Sequence, residues 1–509
     1  MNASALVASL PPPWPEDLQP AIRAINAARP RHKLVVLDDD PTGTQTVHDV
    51  PVLTVWDEAT LRAEFAQPEP CFYILTNSRS LTPAAARELN LEVARALRVA
   101  AAYQPPRAAA HGLGGRHAAV STAAPFTVVS RSDSTLRGHF PVETDALAEE
   151  LGPFNATLLI PYFEAGGRLT IDDVHYVAEG DTLTPAADTP FALDAAFGYR
   201  HSNLREWVEE KTAGRIRAEA VHSISLRELR TGTALEEPTH AVTEKLLRLP
   251  RGSVCIVNAA HPRDVDVFTL AALRAELAGR RFLYRTAASF VASRLAIGAA
   301  VYEPPNQPAT ASGGKYAAAP AATPAAGGLI VVGSHVPKST EQLNRLLAAG
   351  AVMPVELPVG ELLQPARANA AIAAAGAAVE THLRAGRDVV VFTSREVLAG
   401  GDAAESLGIA AQISGALVAI VRSLECSSRF VIAKGGITSS DLATKALGVR
   451  RARVLGQLLP GVPVWQLGPE TKFPGLDYVI FPGNVGSADG LLDAWRKYVS
   501  SSTPHCVCA

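Results

Sequence analysis

Three consecutive aspartates, Asp38, Asp39 and Asp40, end the apolar run of "VVLDDDPTGTQT" at residues 35–46. Carboxylates this close repel one another, and each is costly to bury. Something must stabilise them, or they stay exposed and are used. At the carboxyl end of a strand, Asp39 and Asp40 would face a binding crevice. Thr42 and Gly43 would add a hydroxyl and an unhindered backbone amide there. A capped turn is the plainer alternative. Further along, "TNSRSL" holds Arg79, and "SRSDSTLRGHF" holds Arg131, Asp133 and Arg137 with the hydroxyls of Ser132, Ser134 and Thr135. "IPYFEAGGRLT" adds Arg168 beside a glycine pair. Arginine grips a carboxylate through a two-pronged fork, and Asp and Ser pair with hydroxyls. The set suits a small polyhydroxylated acid. Its structural alternatives are an internal ion-pair network and, for Arg79 and Arg168, solvated charges.

A second group of motifs is rich in glycine. "VVGSHVPKSTEQL" fails as a phosphate-binding P-loop, because Pro337 stands where a glycine must precede the lysine and the spacing is one residue short. Gly333 and Ser334 still end a strand, with a helix expected near Thr340, which suits a phosphate or ribose contact. In "AKGGITSSDLATKAL", Gly435 and Gly436 let the backbone approach phosphates and Thr438 to Ser440 supply hydroxyls. A helix is expected to begin near Asp441. "FPGNVGSADG" repeats the theme with Gly483 and Gly486. Each could also be a plain capped turn.

These motifs need strands to carry them. Five β-rich runs ("KLVVLD", "CFYILT", "FTVVS", "ATLLIP" and "SVCIVN") alternate with helical stretches in the first half. Four more ("GLIVVGS", "DVVVFTS", "RFVIAKGG" and "DYVIFPG") do so in the second. One helical stretch opens at Thr82, a capping residue, with Pro83 in its first turn. Strands that are apolar on both faces and separated by helices predict an α/β protein. The expected architecture is two domains, each built on a mostly parallel sheet flanked by helices. The segment at 302–328, rich in Pro, Ala and Gly, reads as a linker between domains at 1–301 and 329–509. A similar stretch at 103–125 reads as a surface loop.

Composition narrows the class. A formal net charge of −3 gives no field for a nucleic acid backbone or an anionic membrane. No apolar run is long enough for a membrane span. The first residues carry no basic segment and are broken early by prolines, so they do not read as a signal peptide. The five cysteines are scattered and odd in number, which predicts no disulfide framework and a reducing, cytoplasmic setting. Cys71, Cys255 and Cys426 read as packing residues. His505, Cys506 and Cys508 could bind a metal but read better as a frayed tail. A homodimer is compatible with all of this.

Taken in order, the motifs resemble the four-carbon acid sugar kinase family over nearly the whole chain. Its D-D-x-T-G motif is matched by Asp39, Asp40, Thr42 and Gly43. Its D-S-T-L-R-G motif is matched by Asp133, Ser134, Thr135, Leu136, Arg137 and Gly138. Its nucleotide motifs are matched by Ser334, by Gly435, Gly436 and Thr438, and by a late glycine at Gly483. The resemblance implies a sugar-acid-binding N-terminal domain, a nucleotide-binding C-terminal domain and phosphorylation of tetronate-type acids with ATP and Mg²⁺. Arg131 departs from the lysine of many members, and the 103–125 insertion and long linker point to a subgroup with its own substrate. Phosphoryl transfer needs an orienting base, cationic stabilisation and Mg²⁺. Asp40 is the expected base, with Asp39 orienting it or touching substrate hydroxyls; the two roles could be exchanged, and one carboxylate could lie near Mg²⁺. Thr42, Gly43, Arg79, Arg131, Asp133, Ser134, Thr135, Arg137 and Arg168 are the expected acid-binding set.

Two other classes compete. A hydride-transfer enzyme for similar acids lacks its G-x-G-x-x-G fingerprint here. A non-catalytic metabolite sensor would have no need of the carboxylates in "DDDPTG" and "SDSTLRG".

Overall fold

The computed structural model describes residues 2–103, 124–231, 238–298, 300–305, 326–395 and 403–500. Most of the expected loop at 103–125 and linker at 302–328 lies outside the described residues, as do His505, Cys506 and Cys508. Eleven strands precede the linker: β1 Lys33–Asp38, β2 Pro51–Leu53, β3 Cys71–Leu75, β4 Phe126–Arg131, β5 Ala156–Ile160, β6 Arg168–Ile171, β7 Val174–Glu179, β8 Thr182–Pro185, β9 His222–Ile224, β10 Ser253–Val257 and β11 Phe282–Thr286. Seven follow it: β12 Leu329–Val332, β13 Met353–Leu357, β14 Val389–Thr393, β15 Phe430–Lys434, β16 Arg451–Leu459, β17 Val462–Leu467 and β18 Asp477–Phe481.

The chain forms two compact units. One comprises residues 1–39 and 55–298; the other comprises residues 40–54 and 299–509. The expected division at 302–328 therefore misses one feature: residues 40–54 belong with the C-terminal half. The reason is pairing between segments distant in sequence. Strand β2 runs antiparallel to β16. Trp465 Nε1 donates to Thr44 Oγ1 at 3.0 Å, and Val454 N donates to Val50 O at 2.9 Å. Asp39 and Asp40, neighbours in sequence, thus fall in different units.

In the first unit the strand order is β3-β1-β4-β11-β5-β10-β9, all parallel. Every residue of β1, β3 and β11 is buried, as strands covered on both faces require. The chain goes from β1 to β3 on one side and then to β4 on the other. This reversal opens a crevice beyond the carboxyl ends of β1 and β4. Register sets Asp38 beside Arg131, and Arg131 beside Thr286. A separate three-stranded antiparallel sheet, β6-β7-β8, begins with Arg168. Thr82 caps the helix Pro83–Ala102, as expected, by accepting from Ala85 N at 3.3 Å.

In the second unit β13-β14-β12-β15-β18 are parallel, and β17, β16 and β2 continue the sheet antiparallel. The antiparallel part was not expected. Strand β16 alternates buried and half-buried residues, the pattern of a strand covered on one face. Two helix starts also differ from expectation. The helix after β12 begins at Pro337, not near Thr340. The helix after β15 begins at Gly436, and Asp441 is its last residue. Gly435 adopts φ +118°, which turns the chain at once and leaves no intervening loop. Thr438, Ser439 and Ser440 are therefore buried helical residues, and Ser439 Oγ bonds Ala433 O and Gly435 O. Among the described residues no helix is long and apolar enough to cross a membrane. Cys71 and Cys255 are buried and Cys426 is half-buried, all three unpaired thiols.

Candidate functional site

The carboxyl edge of the first unit carries a neutralised ion network. Asp39, 3% exposed, accepts two bonds from Arg79, Nη2 to Oδ1 at 2.5 Å and Nε to Oδ2 at 3.2 Å. Ser132 Oγ donates to the same Oδ2 at 2.6 Å. Arg131 lies 3.2 Å from Asp38 and 3.8 Å from Asp39. Burial works to raise the Asp39 carboxyl, but the charge and hydrogen bonds of Arg79, with Arg131 and Arg285, hold it below the usual carboxylate range. An acid so held is a poor proton acceptor. Asp39 is thus bound into the ion network by Arg79 and Ser132.

Arg285, at the end of β11, completes the network. Its Nη2 donates to Ser132 Oγ at 2.8 Å, and its Nη1 donates to Ser130 Oγ at 2.7 Å and to Glu143 at 2.6 Å. Glu143 also accepts from Ser78 Oγ. Gly138 closes in on this cluster with φ +121°. A Cβ there would lie 2.5 Å from Ser132 Oγ, 3.0 Å from Arg285 Nη2 and 3.1 Å from Asp39 Oδ2. Only glycine suits both that backbone conformation and that space.

Asp133 is held by Arg137 Nε at 2.8 Å and by Thr135 Oγ1. Burial opposes its charge, yet Arg137 and Arg79 keep its carboxyl well below the usual range. Arg137 also lies 3.6 Å from Asp194. Ser134 is buried and meets the site through its backbone carbonyl, bonded to His175 Nε2 at 2.7 Å. Arg168 differs from its companions. It has no ion pair among the described residues, and its buried Nε has no hydrogen-bond partner. Its guanidinium and that of Arg137 converge on the ring of Phe191, at 5.5 Å and 5.2 Å. A small cleft lies against Ser132, Asp133, Arg137 and Arg285. Two more of its lining residues, Thr286 and Trp207, carry buried polar atoms with no hydrogen-bond partner, Oγ1 and Nε1. The cleft thus has a charge-balanced floor and polar groups still to be satisfied.

The second unit holds the glycine motifs together. A Cβ on Gly435 would stand 3.0 Å from Ser334 Cβ, and one on Gly483 would stand 3.1 Å from Ser334 Oγ. Ser339 Oγ lies 2.9 Å from Ser334 Oγ and 3.1 Å from Gly483 O. Thr438 borders the same point, with Oγ1 3.2 Å from a Cβ on Gly435. Asp40 joins this cradle. Its Oδ1 accepts from Thr42 N at 2.8 Å, and its Oδ2 would lie 2.9 Å from a Cβ on Gly436. Gly43 N in turn donates to Asp40 O at 3.1 Å. Thr42 and Gly43 therefore build the turn that presents Asp40, and they stand in the second unit rather than with the acid set.

The residues found by motif fall into two groups. Asp39, Arg79, Arg131, Asp133, Thr135, Arg137 and Arg168 share the carboxyl edge of the first unit. Asp40, Ser334, Gly435, Gly436, Thr438 and Gly483 share the cradle of the second. Sequence reasoning missed Arg285, Glu143, Thr286 and Trp207. Arg285 and Thr286 had a signal, the aromatic and polar run "RFLYRT" that forms β11. Glu143 and Trp207 had none.

Comparison with known proteins finds two domains in the same order, with residues 40–54 falling inside the N-terminal match. Residues 34–294 match the model of a sugar-binding N-terminal domain, and residues 329–491 match that of a nucleotide-binding C-terminal domain. No curated protein matches the chain. A protein of Salmonella typhimurium LT2, provisionally named a tRNA synthase, superposes with TM-score 0.62 at 16% identity, over 91% of this chain and 99% of its own. The Haemophilus influenzae protein HI1011, of family DUF1537, superposes with TM-score 0.57 at 16% identity, over 91% of this chain and 100% of its own. At such identities the likeness is one of fold. With both domain models matched in order, the chain belongs to the four-carbon acid sugar kinase family.

Proposed function

We propose that the protein is an ATP-dependent kinase that phosphorylates a hydroxyl of a small, tetronate-like sugar acid. The observation that carries this reading is the placement of Asp40. Its carboxylate sits against the Gly435–Gly436 cradle, and one peptide bond earlier the chain enters the arginine-rich acid site. In this reading Arg168 pairs with the substrate carboxylate, since no carboxylate stands at ion-pair distance from it among the described residues, though Asp133 and Glu179 act on it from further off. Asp133, Thr286 and the Arg137 guanidinium meet the substrate hydroxyls. Asp39, fixed by Arg79 and Ser132, keeps the site's cations in place.

The substrate hydroxyl attacks the γ-phosphorus, the bond from that phosphorus to the β–γ bridging oxygen breaks, and ADP departs. Asp40 accepts the hydroxyl proton. A carboxylate beside a phosphate cradle would repel phosphates unless a cation intervened, which fits Mg²⁺. The described residues contain no cluster of three metal-ligating side chains. Asp40 would therefore be the protein's contact to an ion held mainly by phosphate oxygens and water, as is usual for Mg²⁺. Bound Mg²⁺ would neutralise charge on the phosphates.

The test is a panel of four-carbon sugar acids incubated with Mg·ATP, read by ³¹P NMR for a phosphomonoester. One acid should give product and its neutral polyol should not. ATP consumption on no acid of the panel, or equal rates on acid and polyol, would contradict the reading.

A further inference from the structure

The second unit contains two cations that the proposed chemistry has not yet used. Lys434 is the last residue of β15, directly before Gly435, and is 0% exposed. Its Nζ donates to Pro482 O at 2.6 Å and to Gly483 O at 3.2 Å, and lies 4.0 Å from the centre of the Phe481 ring. An ammonium has three donors, so one N–H remains. Arg395 follows β14. Its Nη1 donates to Ser334 O at 2.8 Å, and its Nη2 donates to Thr393 Oγ1 at 2.6 Å. Neither cation has a carboxylate at ion-pair distance among the described residues; the charge of Glu356, on β13, acts on Arg395 from further off.

A buried charge without a counter-ion is costly. Both cations here are bound only to neutral oxygens. One oxygen on each cation belongs to the cradle itself: Gly483 O takes Lys434, Ser334 O takes Arg395, and Ser339 bridges Ser334 and Gly483. The arrangement lacks an anion, and the cradle is where a polyanion would complete it. We propose that Lys434 and Arg395 are the cationic contacts to the nucleotide's phosphates. This rests on the kinase reading above for the identity of the ligand.

Burial and the nearby Lys338, on the helix Pro337–Ala348, bring Lys434 down to about 7. Lys338 itself faces Glu341 at 3.6 Å. Phosphate binding should restore the lysine's charge. At pH 8, where nucleotide phosphates are already ionised, binding should therefore take up protons, approaching roughly one per site.

Calorimetry with ATP and with adenosine, at pH 8 in buffers of different ionisation enthalpy, tests this on the full chain. Lys434→Met and Arg395→Met should each weaken ATP roughly 10- to 100-fold and leave adenosine binding unchanged. Proton uptake should vanish in Lys434→Met and persist in Arg395→Met. Retained adenosine binding shows that each variant is folded. ATP binding of wild-type strength in both variants would overturn the inference alone. Failure of the wild-type protein to bind ATP would overturn the nucleotide reading with it.

Discussion

The two candidate sites treat positive charge in opposite ways. In the first, Arg79, Arg131, Arg137 and Arg285 all face carboxylates: Asp39, Asp38, Asp133 and Glu143. Only Arg168 among the motif arginines stands without an ion pair among the described residues. In the second, Lys434 and Arg395 hydrogen-bond only to carbonyl and hydroxyl oxygens, and Lys434 also faces the Phe481 ring. The difference follows the ligands proposed for each. A small acid brings a single negative charge and several hydroxyls, so a mostly balanced network with one spare cation suits it. A nucleoside triphosphate brings several charges, so cations waiting on neutral partners suit it. Positive charge in a site is thus informative only after its internal partners are subtracted.

The largest effect is expected at Asp40. Asp40→Asn keeps size and the bond from Thr42 N but cannot take a proton. Turnover should fall by roughly 10²–10⁴ with a much smaller change in affinity for either ligand. Near-normal turnover in steady-state assays would remove Asp40 as the base.

Arg79→Met tests the balanced network. It leaves the buried Asp39 carboxylate without its forked partner, a loss of about 3–5 kcal/mol in stability. Denaturant unfolding would show it as a lower midpoint. Adding Asp39→Asn should restore much of the loss, and an undiminished midpoint in the single variant would show that the pair contributes little.

A smaller effect is expected at the spare cation. Arg168→Met should raise KM for the acid roughly 10- to 100-fold, while stability changes little because no internal ion pair is broken. If unfolding falls as far as in Arg79→Met, Arg168 belongs to the structural network and the distinction between the two arginines disappears.

Much of this was legible in the sequence. Nine strands were readable because they are short, apolar on both faces and bounded by turns, and their polar carboxyl ends carried the motifs. The missed strand β11 cost the most, since Arg285 and Thr286 lie at its end. It is a short run with an arginine inside it, set between the helices Pro262–Leu277 and Ala288–Leu295. The exchange of residues 40–54 between halves was not legible. It rests on long-range partners, such as Thr44 with Trp465, that no local pattern encodes. That exchange also separates Asp39 from Asp40, whose roles looked interchangeable as neighbours. One is buried in an arginine fork and the other stands at a glycine cradle.

In the proposed division of labour, acid and nucleotide bind to different units, and Gly435→Val separates the two. Valine disfavours φ +118°, and its Cβ would stand 3.0 Å from Ser334 Cβ, in the cradle. Calorimetry on the folded variant, with ATP and with the acid in separate titrations, should show ATP binding weakened at least about tenfold, the equivalent of about 1.4 kcal/mol, and acid binding near wild type. Equal loss of both would contradict the division of labour between the two units.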